Sequence, residues 1–248
     1  MKLPKFVFFV FGLLLIYPIA RAAAPASQPV GEQVPSEDAI IPDLHSMGLI
    51  DGHVDIFRSA CPVRDIAKHM STTQPSDEQL HQAQARLQHL YDLGIRTIIS
   101  FQDPKAKKEE EKGIGNAAVV SLERQAAESA GIRFVSIPMN NSGPHSLETM
   151  TDAEVLQWLN STSDQIFASA NTGGVLFHCS AGHDRTGIVA AYLRIKFEHW
   201  PVQQAIDEMR RYGHNWLKFS RDDGVSSWHE DHLRAISATL NEQSAAPQ

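Results

Sequence analysis

The sequence contains only two cysteines, Cys61 and Cys179, so at most one disulfide bond can form within the chain. In an oxidising compartment such a bond would remove both thiols from chemistry. Two interpretations of Cys61 are open. We favour a small buried apolar residue, and the alternative is a redox partner of Cys179.

An excess of positive charge is also missing. The chain has 22 Lys and Arg against 29 Asp and Glu, which gives a net charge of −7. A general binder of nucleic acid or of anionic membranes is expected to be basic, so the charge argues against both classes and we expect no nucleic-acid partner. An anionic substrate is not excluded, because the field of a binding site is local.

The sequence has no apolar run long enough for a comfortable membrane span, which needs ~20 residues. The longest run, residues 6–17, follows Lys2 and Lys5 and precedes small residues at 20–24. This order predicts a secretory signal peptide over residues 1–24. We therefore expect an exported protein, periplasmic or secreted, without a stable span after cleavage. The alternative is an anchor formed by an uncleaved N-terminal segment.

The remaining chain suits one folded domain with extensions. Hydrophobic residues make up 42% and charged residues 21%, which are ordinary values for a globular protein. Residues 25–43 are rich in Ala, Pro, Ser, Gln and Glu without a periodic apolar face, which predicts a flexible linker. The folded domain is expected over residues 44–240 and a disordered tail over 241–248.

Within this domain, apolar runs alternate with helical patterns. The runs predict strands at 53–59, 95–101, 132–139 and immediately before Cys179, and the patterns predict helices at about 80–93, 116–130, 152–167, 187–197, 201–212 and 228–240. Thr151 and Glu154 form a capping box at the start of one helix. Strands separated by helices imply an α/β fold, with a central, mostly parallel sheet of four to five strands and helices on both faces.

Residues 177–187 read Phe-His-Cys-Ser-Ala-Gly-His-Asp-Arg-Thr-Gly, between an apolar run and a helical pattern. This order predicts a strand, a loop and a helix, whose backbone N–H groups and dipole form an anion site. Cys179 is expected at the bottom of that site. Because a helix N-terminus or a nearby cation lowers a thiol pKa from ~8.5 to roughly 3.5–7.5, we expect a thiolate.

The same stretch predicts phosphoryl chemistry. The guanidinium of Arg185 fits two oxygens of a phosphate. Cys179 would attack phosphorus to give a thiophosphoryl enzyme, which water would then hydrolyse while the Thr186 hydroxyl assists the departing sulfur. The substrate phosphate is expected to contact the loop residues Ser180, Ala181, Gly182, His183, Asp184 and Arg185.

His178-Cys179, five residues and then Arg185-Thr186-Gly187 resemble the signature of cysteine-dependent phosphatases of the protein-tyrosine phosphatase superfamily. Residues 57–62 and 200–212 are similar to segments of atypical dual-specificity phosphatases, so the resemblance covers about 48–213. It implies a phosphatase fold and an enzyme that needs no metal or cofactor. Protein phosphotyrosine is the leading implied substrate class, and inositol phosphates or phosphoinositides are the alternative.

The resemblance also implies an aspartate, on a separate loop, that protonates the leaving oxygen. Residues 137–145 stand at that place and contain no aspartate. Our first candidate is Asp184, because a Cys-x4-Asp-Arg loop resembles that of myotubularin-type phosphatases. His145, Asp152 and the weaker option Asp103 stay open. The missing aspartate also motivates a non-catalytic, phosphate-binding pseudophosphatase as an alternative.

Four histidines and one further motif complete the expectations. His178 should hydrogen-bond the backbone and fix the surroundings of the thiolate, and His183 should lie at the rim of the site. His229 and His232 lie three residues apart on the last predicted helix, where we expect a solvated face. Residues 51–55 resemble the His-x-Asp strand of metal-dependent amidohydrolases, but we interpret residues 51 and 52 as a turn before a strand.

Overall fold

Five strands form the sheet at the centre of the molecule. The computed structural model describes residues 41–68, 70, 74–105, 116–220 and 226–245. The strands are β1 (His45–Ser46), β2 (Ile56–Ser59), β3 (Ile95–Ser100), β4 (Arg133–Ser136) and β5 (Gly174–His178). Their order is β1-β2-β5-β3-β4, and all neighbours are parallel except β1 and β2. The predicted α/β class with a mostly parallel sheet is confirmed.

Seven α-helices lie in the described part of the chain. They are α1 (Arg64–Lys68), α2 (Asp77–Asp92), α3 (Asn116–Ser129), α4 (Asp152–Ala170), α5 (Asp184–Phe197), α6 (Val202–Arg211) and α7 (Trp228–Ala245). A short 3-10 helix covers Trp216–Phe219. No helix in the described ranges is both long and apolar enough to cross a bilayer.

The sheet is buried on both faces, as β5 shows. Val175 and Phe177 pack into a core cluster with residues of α4, α5, α6 and α7, whereas Leu176 packs into a second cluster with α1, α2 and α3. All three side chains are fully buried. Alternate residues of a strand point to opposite faces, so each face of the sheet receives its own layer of helices.

The predicted start of α4 is confirmed. The Thr151 hydroxyl accepts a hydrogen bond from the Glu154 N–H at 3.3 Å, and the Glu154 carboxylate accepts the Thr151 N–H at 2.7 Å. Such a capping box satisfies donors that a helix N-terminus leaves without intrahelical partners. A second capping box, between Ser76 and Gln79, starts α2 and was not predicted.

Several predicted boundaries differ from the structure. The strand expected at 53–59 begins only at Ile56, because residues 51 and 52 form the predicted turn and His53 pairs back to Ile50. The strand expected at 132–139 ends at Ser136. Helix α7 continues to Ala245, so the part of the expected disordered tail that the structure describes is helical. Glu242 and Gln243 are good helix formers, which accounts for the extension.

Two predictions concern residues outside those described. The predicted signal peptide, residues 1–24, and the predicted linker up to residue 40 lie there, as do residues 246–248. Both N-terminal assignments therefore stay predictions.

Candidate active site

The phosphate loop, residues 179–183, connects the end of β5 to the first residue of α5. Gly182 has φ +77°, and a Cβ atom added there would lie 2.6 Å from the Ser59 carbonyl oxygen and 2.7 Å from the Ala60 nitrogen. Only glycine allows this approach of two backbones. The loop therefore folds against the carboxyl end of β2.

Two further contacts fix the loop to β2 and the turn after it. The Cys61 N–H donates to the Ser180 carbonyl at 3.1 Å, and Nη2 of the buried Arg58 donates to the Gly182 carbonyl at 2.9 Å. With these carbonyl groups turned to β2 and the following turn, the Gly182 N–H faces the Cys179 sulfur. His183, the N-cap residue of α5, makes no side-chain cap hydrogen bond, and the Thr186 N–H in the first turn of α5 faces the same sulfur.

Cys179 is 3% exposed and its thiol is polarised toward the thiolate. Burial alone would raise the pKa of Cys179. The charge of Arg185 and hydrogen bonds from the Thr186 hydroxyl and from the Thr186 and Gly182 N–H groups outweigh burial, so the pKa lies below its usual value. The environment expected from the sequence is present around the sulfur.

Arg185 is held over the loop by two backbone carbonyls. Its Nη1 donates to the Phe101 oxygen at 3.0 Å and to the Met139 oxygen at 2.9 Å. These residues follow β3 and β4. The Nε of Arg185 is buried and has no hydrogen-bond partner among the described residues. An oxyanion in the loop can supply that acceptor, because one edge of a guanidinium binds two oxygens.

His178 forms a buried pair with Glu123, a residue of α3 that the sequence analysis did not identify. Its Nδ1 donates to the Cys179 carbonyl at 2.9 Å, and its Nε2 lies 2.8 Å from Oε1 of Glu123. Burial by itself lowers the pKa of His178, but the charge of Glu123 and these hydrogen bonds raise it above its usual value. The predicted backbone hydrogen bond of His178 is confirmed.

Glu123 could have been identified in the sequence as an acidic residue on the apolar face of the predicted helix. It lies beside the buried Leu122, Ala126 and Ala127. Cys61 adjoins the same pair, and its thiol, the His178 ring and the Glu123 carboxylate lie within 4.8 Å of one another. These side chains could hold a cation. However, the pKa of Cys61 is raised well above its usual value by burial and by Glu123, and metal binding requires a thiolate.

Both cysteines are free and buried. The favoured interpretation of Cys61 as a small buried residue agrees with this structure. Its role as a redox partner stays an untested alternative.

Asp184, our first candidate for the proton donor, lies against His214. Its Oδ1 is 2.7 Å from Nδ1 of His214, whose Nε2 lies 2.8 Å from the Ser227 hydroxyl. Burial raises the pKa of Asp184, but the hydrogen bond and charge of His214 lower it by more than burial raises it. The carboxyl therefore has a pKa below its usual value. A lowered pKa reduces the protonated fraction that a general acid needs.

The other candidates occupy different surroundings. Asp152 lies 2.6 Å from Nδ1 of His232, at the start of α4. His145 is exposed and has φ +55°. Asp103 accepts a hydrogen bond from the Asn140 side chain at 2.8 Å. Because Asp103 and Asn140 follow closely the two carbonyl groups that hold Arg185, their pair lies on the same side of the sheet as the loop.

The prediction of a solvated histidine face on α7 is wrong. His229 is fully buried and His232 is 3% exposed. Nε2 of His229 lies 3.1 Å from the Asn141 side-chain oxygen, and Nε2 of His232 donates to the Leu147 carbonyl at 2.7 Å. Burial lowers the pKa of His229 to about 3, so this ring is neutral. The polar face of α7 packs against residues 140–147, which local periodicity does not reveal.

His183 lies at the rim, as predicted. Its side chain is 37% exposed, and Nε2 is 3.9 Å from the Asp43 carboxylate. Ser180, Ala181 and Asp184 are half-buried, whereas Gly182 and Thr186 are buried. The structure thus brings the predicted loop residues together, and it adds Arg58, Glu123 and His214 from other elements.

Comparisons with known proteins cover the part of the chain that contains this site. A sequence model described as the tyrosine phosphatase family matches residues 76–195. The dual specificity protein phosphatase TpbA of Pseudomonas aeruginosa, strain UCBPP-PA14, is 33% identical over 124 residues, which are 50% of this chain and 44% of TpbA. The aligned part therefore spans less than half of that relative.

Solved structures with a similar chain path include P. aeruginosa TpbA, with a TM-score of 0.45 and 24% identity over 79% of this chain and 92% of that chain. The catalytic core of the PP-IP phosphatase SIW14 from S. cerevisiae, solved with citrate, has a TM-score of 0.45 and 16% identity, over 84% of this chain and 98% of that chain.

A buried cysteine of lowered pKa, in a loop that joins a strand to a helix with an arginine closing it, defines a protein with a cysteine-based phosphate site. Over residues 76–195, the part that contains this loop, the chain is similar to the tyrosine phosphatase family, and it spans less than half of the dual specificity phosphatase that it matches.

Proposed function

We propose that this protein is a phosphatase that hydrolyses phosphomonoesters through a thiophosphoryl-cysteine intermediate. The observation that carries the proposal is the lowered pKa of Cys179 beneath the guanidinium of Arg185. In the first step the thiolate forms an S–P bond while the ester P–O bond breaks, and the leaving oxygen takes a proton. In the second step water attacks phosphorus, inorganic phosphate leaves, and the thiolate returns with the Thr186 hydroxyl beside it.

Protein phosphotyrosine is the leading substrate class in this proposal. The 33% identity to a dual specificity protein phosphatase supports it. Inositol phosphates or phosphoinositides are the second candidate class, and the specific observation that favours them is a cavity next to the loop whose lining includes Arg58 and Arg211. A non-catalytic phosphate-binding protein is the third alternative.

We propose Asp103, in place of Asp184, as the donor of the proton to the leaving oxygen. Three carboxylates were candidates, and imidazole rings hold two of them, Asp184 and Asp152. The partner of Asp103 is the neutral amide of Asn140. This pair follows closely, in sequence, the carbonyl groups that bind Arg185, which places the Asp103 carboxyl at the same edge of the sheet as the loop.

The deciding experiment traps phosphorus on the protein. Wild-type protein, mixed under reducing conditions with a 32P-labelled phosphotyrosyl peptide or inositol phosphate and quenched in acid, should carry label on Cys179. Cys179→Ser should lose turnover and still bind substrate, whereas the matched variant Cys61→Ala should keep turnover. Hydrolysis by Cys179→Ser at the wild-type rate would contradict the proposal, and binding without turnover by the wild type would indicate the pseudophosphatase.

We also propose that the protein is exported, on the basis of residues 1–24. N-terminal sequencing of the mature protein from a periplasmic or culture fraction should find a start near residue 25. A protein that keeps Met1 and sediments with membranes would indicate the anchored alternative.

A further inference from the structure

A cavity opens beside the phosphate loop, and we call it the basic pocket because two arginines line it. It has a volume of about 350 Å³. Its lining residues are Asp43, His45, Arg58, Gly182, His183, Arg211, Tyr212 and Gly213. Because Gly182 and His183 also belong to the loop, the basic pocket and the predicted phosphate site share a wall.

Arg58 is the buried cation of the basic pocket. Its side chain extends from β2, is 2% exposed, and packs with Cζ 4.5 Å from the centre of the Tyr212 ring. One terminal nitrogen, Nη2, is used by the Gly182 carbonyl. The other, Nη1, has no hydrogen-bond partner among the described residues. A buried N–H group without an acceptor is costly, so this nitrogen indicates a place for a ligand oxygen.

Two of the eight lining residues of the basic pocket are arginines. Arg211, the last residue of α6, is exposed and adds a second guanidinium. The imidazole rings of His45 and His183 add further hydrogen-bonding nitrogens to the lining. The single carboxylate in the lining, Asp43, is 59% exposed and faces His183 at 3.9 Å. The lining therefore carries two guanidinium groups and one exposed carboxylate, and the buried Glu208 is the strongest further charge that acts on Arg58.

The wall between the basic pocket and the loop is thin. Gly213 has φ +91°, and a Cβ atom added there would lie 2.9 Å from the His183 ring. The absence of a side chain at this position lets the His183 ring pack against the backbone of Gly213. Because Gly182 and His183 belong to both the loop and the lining of the basic pocket, a ligand in the basic pocket would lie next to the loop.

We propose that the basic pocket binds a second phosphate group of the substrate, so that the preferred substrates are small molecules carrying two phosphates a few bonds apart. A guanidinium fork suits phosphate oxygens, and Arg58 and Arg211 supply two forks. A phosphotyrosyl peptide fits less well, because its aryl group keeps any neighbouring anion far above the loop. This inference rests on the proposed phosphatase function and, of its two candidate substrate classes, selects the second, phosphorylated small molecules, over phosphotyrosyl proteins.

The test compares Arg211→Gln with Arg133→Gln. Both residues are exposed arginines, but Arg133 lies on β4, at the opposite edge of the sheet from β1 and β2. The substrates are an inositol bisphosphate with neighbouring phosphates, para-nitrophenyl phosphate, and a phosphotyrosyl peptide with an adjacent glutamate. Arg211→Gln should raise KM for the bisphosphate about tenfold or more, since charge-assisted hydrogen bonds are strong. It should leave para-nitrophenyl phosphate hydrolysis within twofold, and Arg133→Gln should change neither.

Two results would overturn the inference. An equal loss on the bisphosphate and on para-nitrophenyl phosphate would indicate general damage to the loop. A loss of activity confined to the acidic peptide would show that the basic pocket binds a carboxylate of the peptide instead of a second phosphate.

Binding measurements separate this inference from the proposed function. Calorimetry of the bisphosphate with Cys179→Ser protein, with and without Arg211→Gln, reports the basic pocket even if the wild type hydrolyses no substrate. Equal dissociation constants in the two proteins would refute the second-phosphate site, whatever the outcome of the turnover assay.

Discussion

Replacing Glu123 tests whether the buried pair of Glu123 and His178 stabilises the protein and the thiolate of Cys179. The carboxylate lies 2.8 Å from Nε2 of His178, and both side chains are fully buried. The opposite nitrogen of the ring donates to the Cys179 carbonyl. We expect Glu123→Gln to lower the pKa of His178, because the charge of Glu123 raises it, and to raise the pKa of Cys179 as positive charge on His178 is reduced.

The size of the effect on stability follows from burial. An exposed ion pair contributes about 0–1 kcal/mol, but removal of one partner of a buried pair costs about 3–5 kcal/mol. Glu123→Ala should therefore lose about 3–5 kcal/mol of the free energy of unfolding. Glu123→Gln keeps the shape and a neutral hydrogen bond, so it should lose about 1–2 kcal/mol, the difference between charged and neutral hydrogen bonds.

The raised pKa of His178 also sets the direction in which the destabilisation by Glu123→Gln changes with pH. Because the pKa of His178 is raised in the folded state, its contribution to stability is fully present below the unfolded pKa of about 6.5 and is lost as the pH rises through the folded pKa. The destabilisation by Glu123→Gln should therefore be largest near pH 5.5 and smaller in alkaline solution. Urea unfolding at several pH values measures this difference.

The pKa of Cys179 is measured separately, from the rate at which iodoacetamide alkylates its thiol at different pH values. The acid limb of the Glu123→Gln profile should lie at higher pH than that of the wild type. The control is Glu128→Gln, an exposed position on the same helix, which should change neither readout. If the destabilisation were independent of pH and the alkylation profile unchanged, His178 would not carry a charge, and the reasoning about the buried pair would be wrong.

Three further predictions concern the loop and the proton donor. Gly182→Ala should cost several kcal/mol in thermal or urea unfolding, because the new Cβ would lie 2.6 Å from the Ser59 carbonyl; an unchanged unfolding curve would contradict this packing. Asp103→Asn should slow hydrolysis of alkyl phosphates at least tenfold and of para-nitrophenyl phosphate much less. If Asp184→Asn showed this pattern and Asp103→Asn did not, Asp184 would be the acid. Thr186→Ala should make the phosphoenzyme accumulate in quench experiments, and a wild-type level would exclude its role in the second step.

The loop itself could be predicted from the sequence because its parts are contiguous. Cys179, Arg185 and Thr186 lie within eight residues, and a strand followed by a glycine-containing loop and a helix has few ways to fold. The same holds for the capping box at Thr151, whose hydrogen bonds join residues three apart. Local chemistry decides such features, so they do not depend on the rest of the chain.

The support of the loop was decided by tertiary structure. Parallel pairing of β2 and β3 with β5 sets both Ser59 and Ser100 opposite His178, so three strand ends meet at one edge of the sheet. That register brings Arg58 to the Gly182 carbonyl and places the carbonyl groups after β3 and β4 against Arg185. Contacts across 46 to 124 residues leave no periodic trace in the sequence.

The buried histidines of α7 show the same limit. A polar helical face predicts contact with water only when no other segment covers it. Here residues 140–147 cover the face and supply hydrogen-bond acceptors to His229 and His232. The sequence determined which residues form the nucleophilic loop, because short-range hydrogen bonds and sterics are sufficient for it. The tertiary structure decided which distant side chains hold and charge that loop, because their free energy depends on burial and partners that only packing provides.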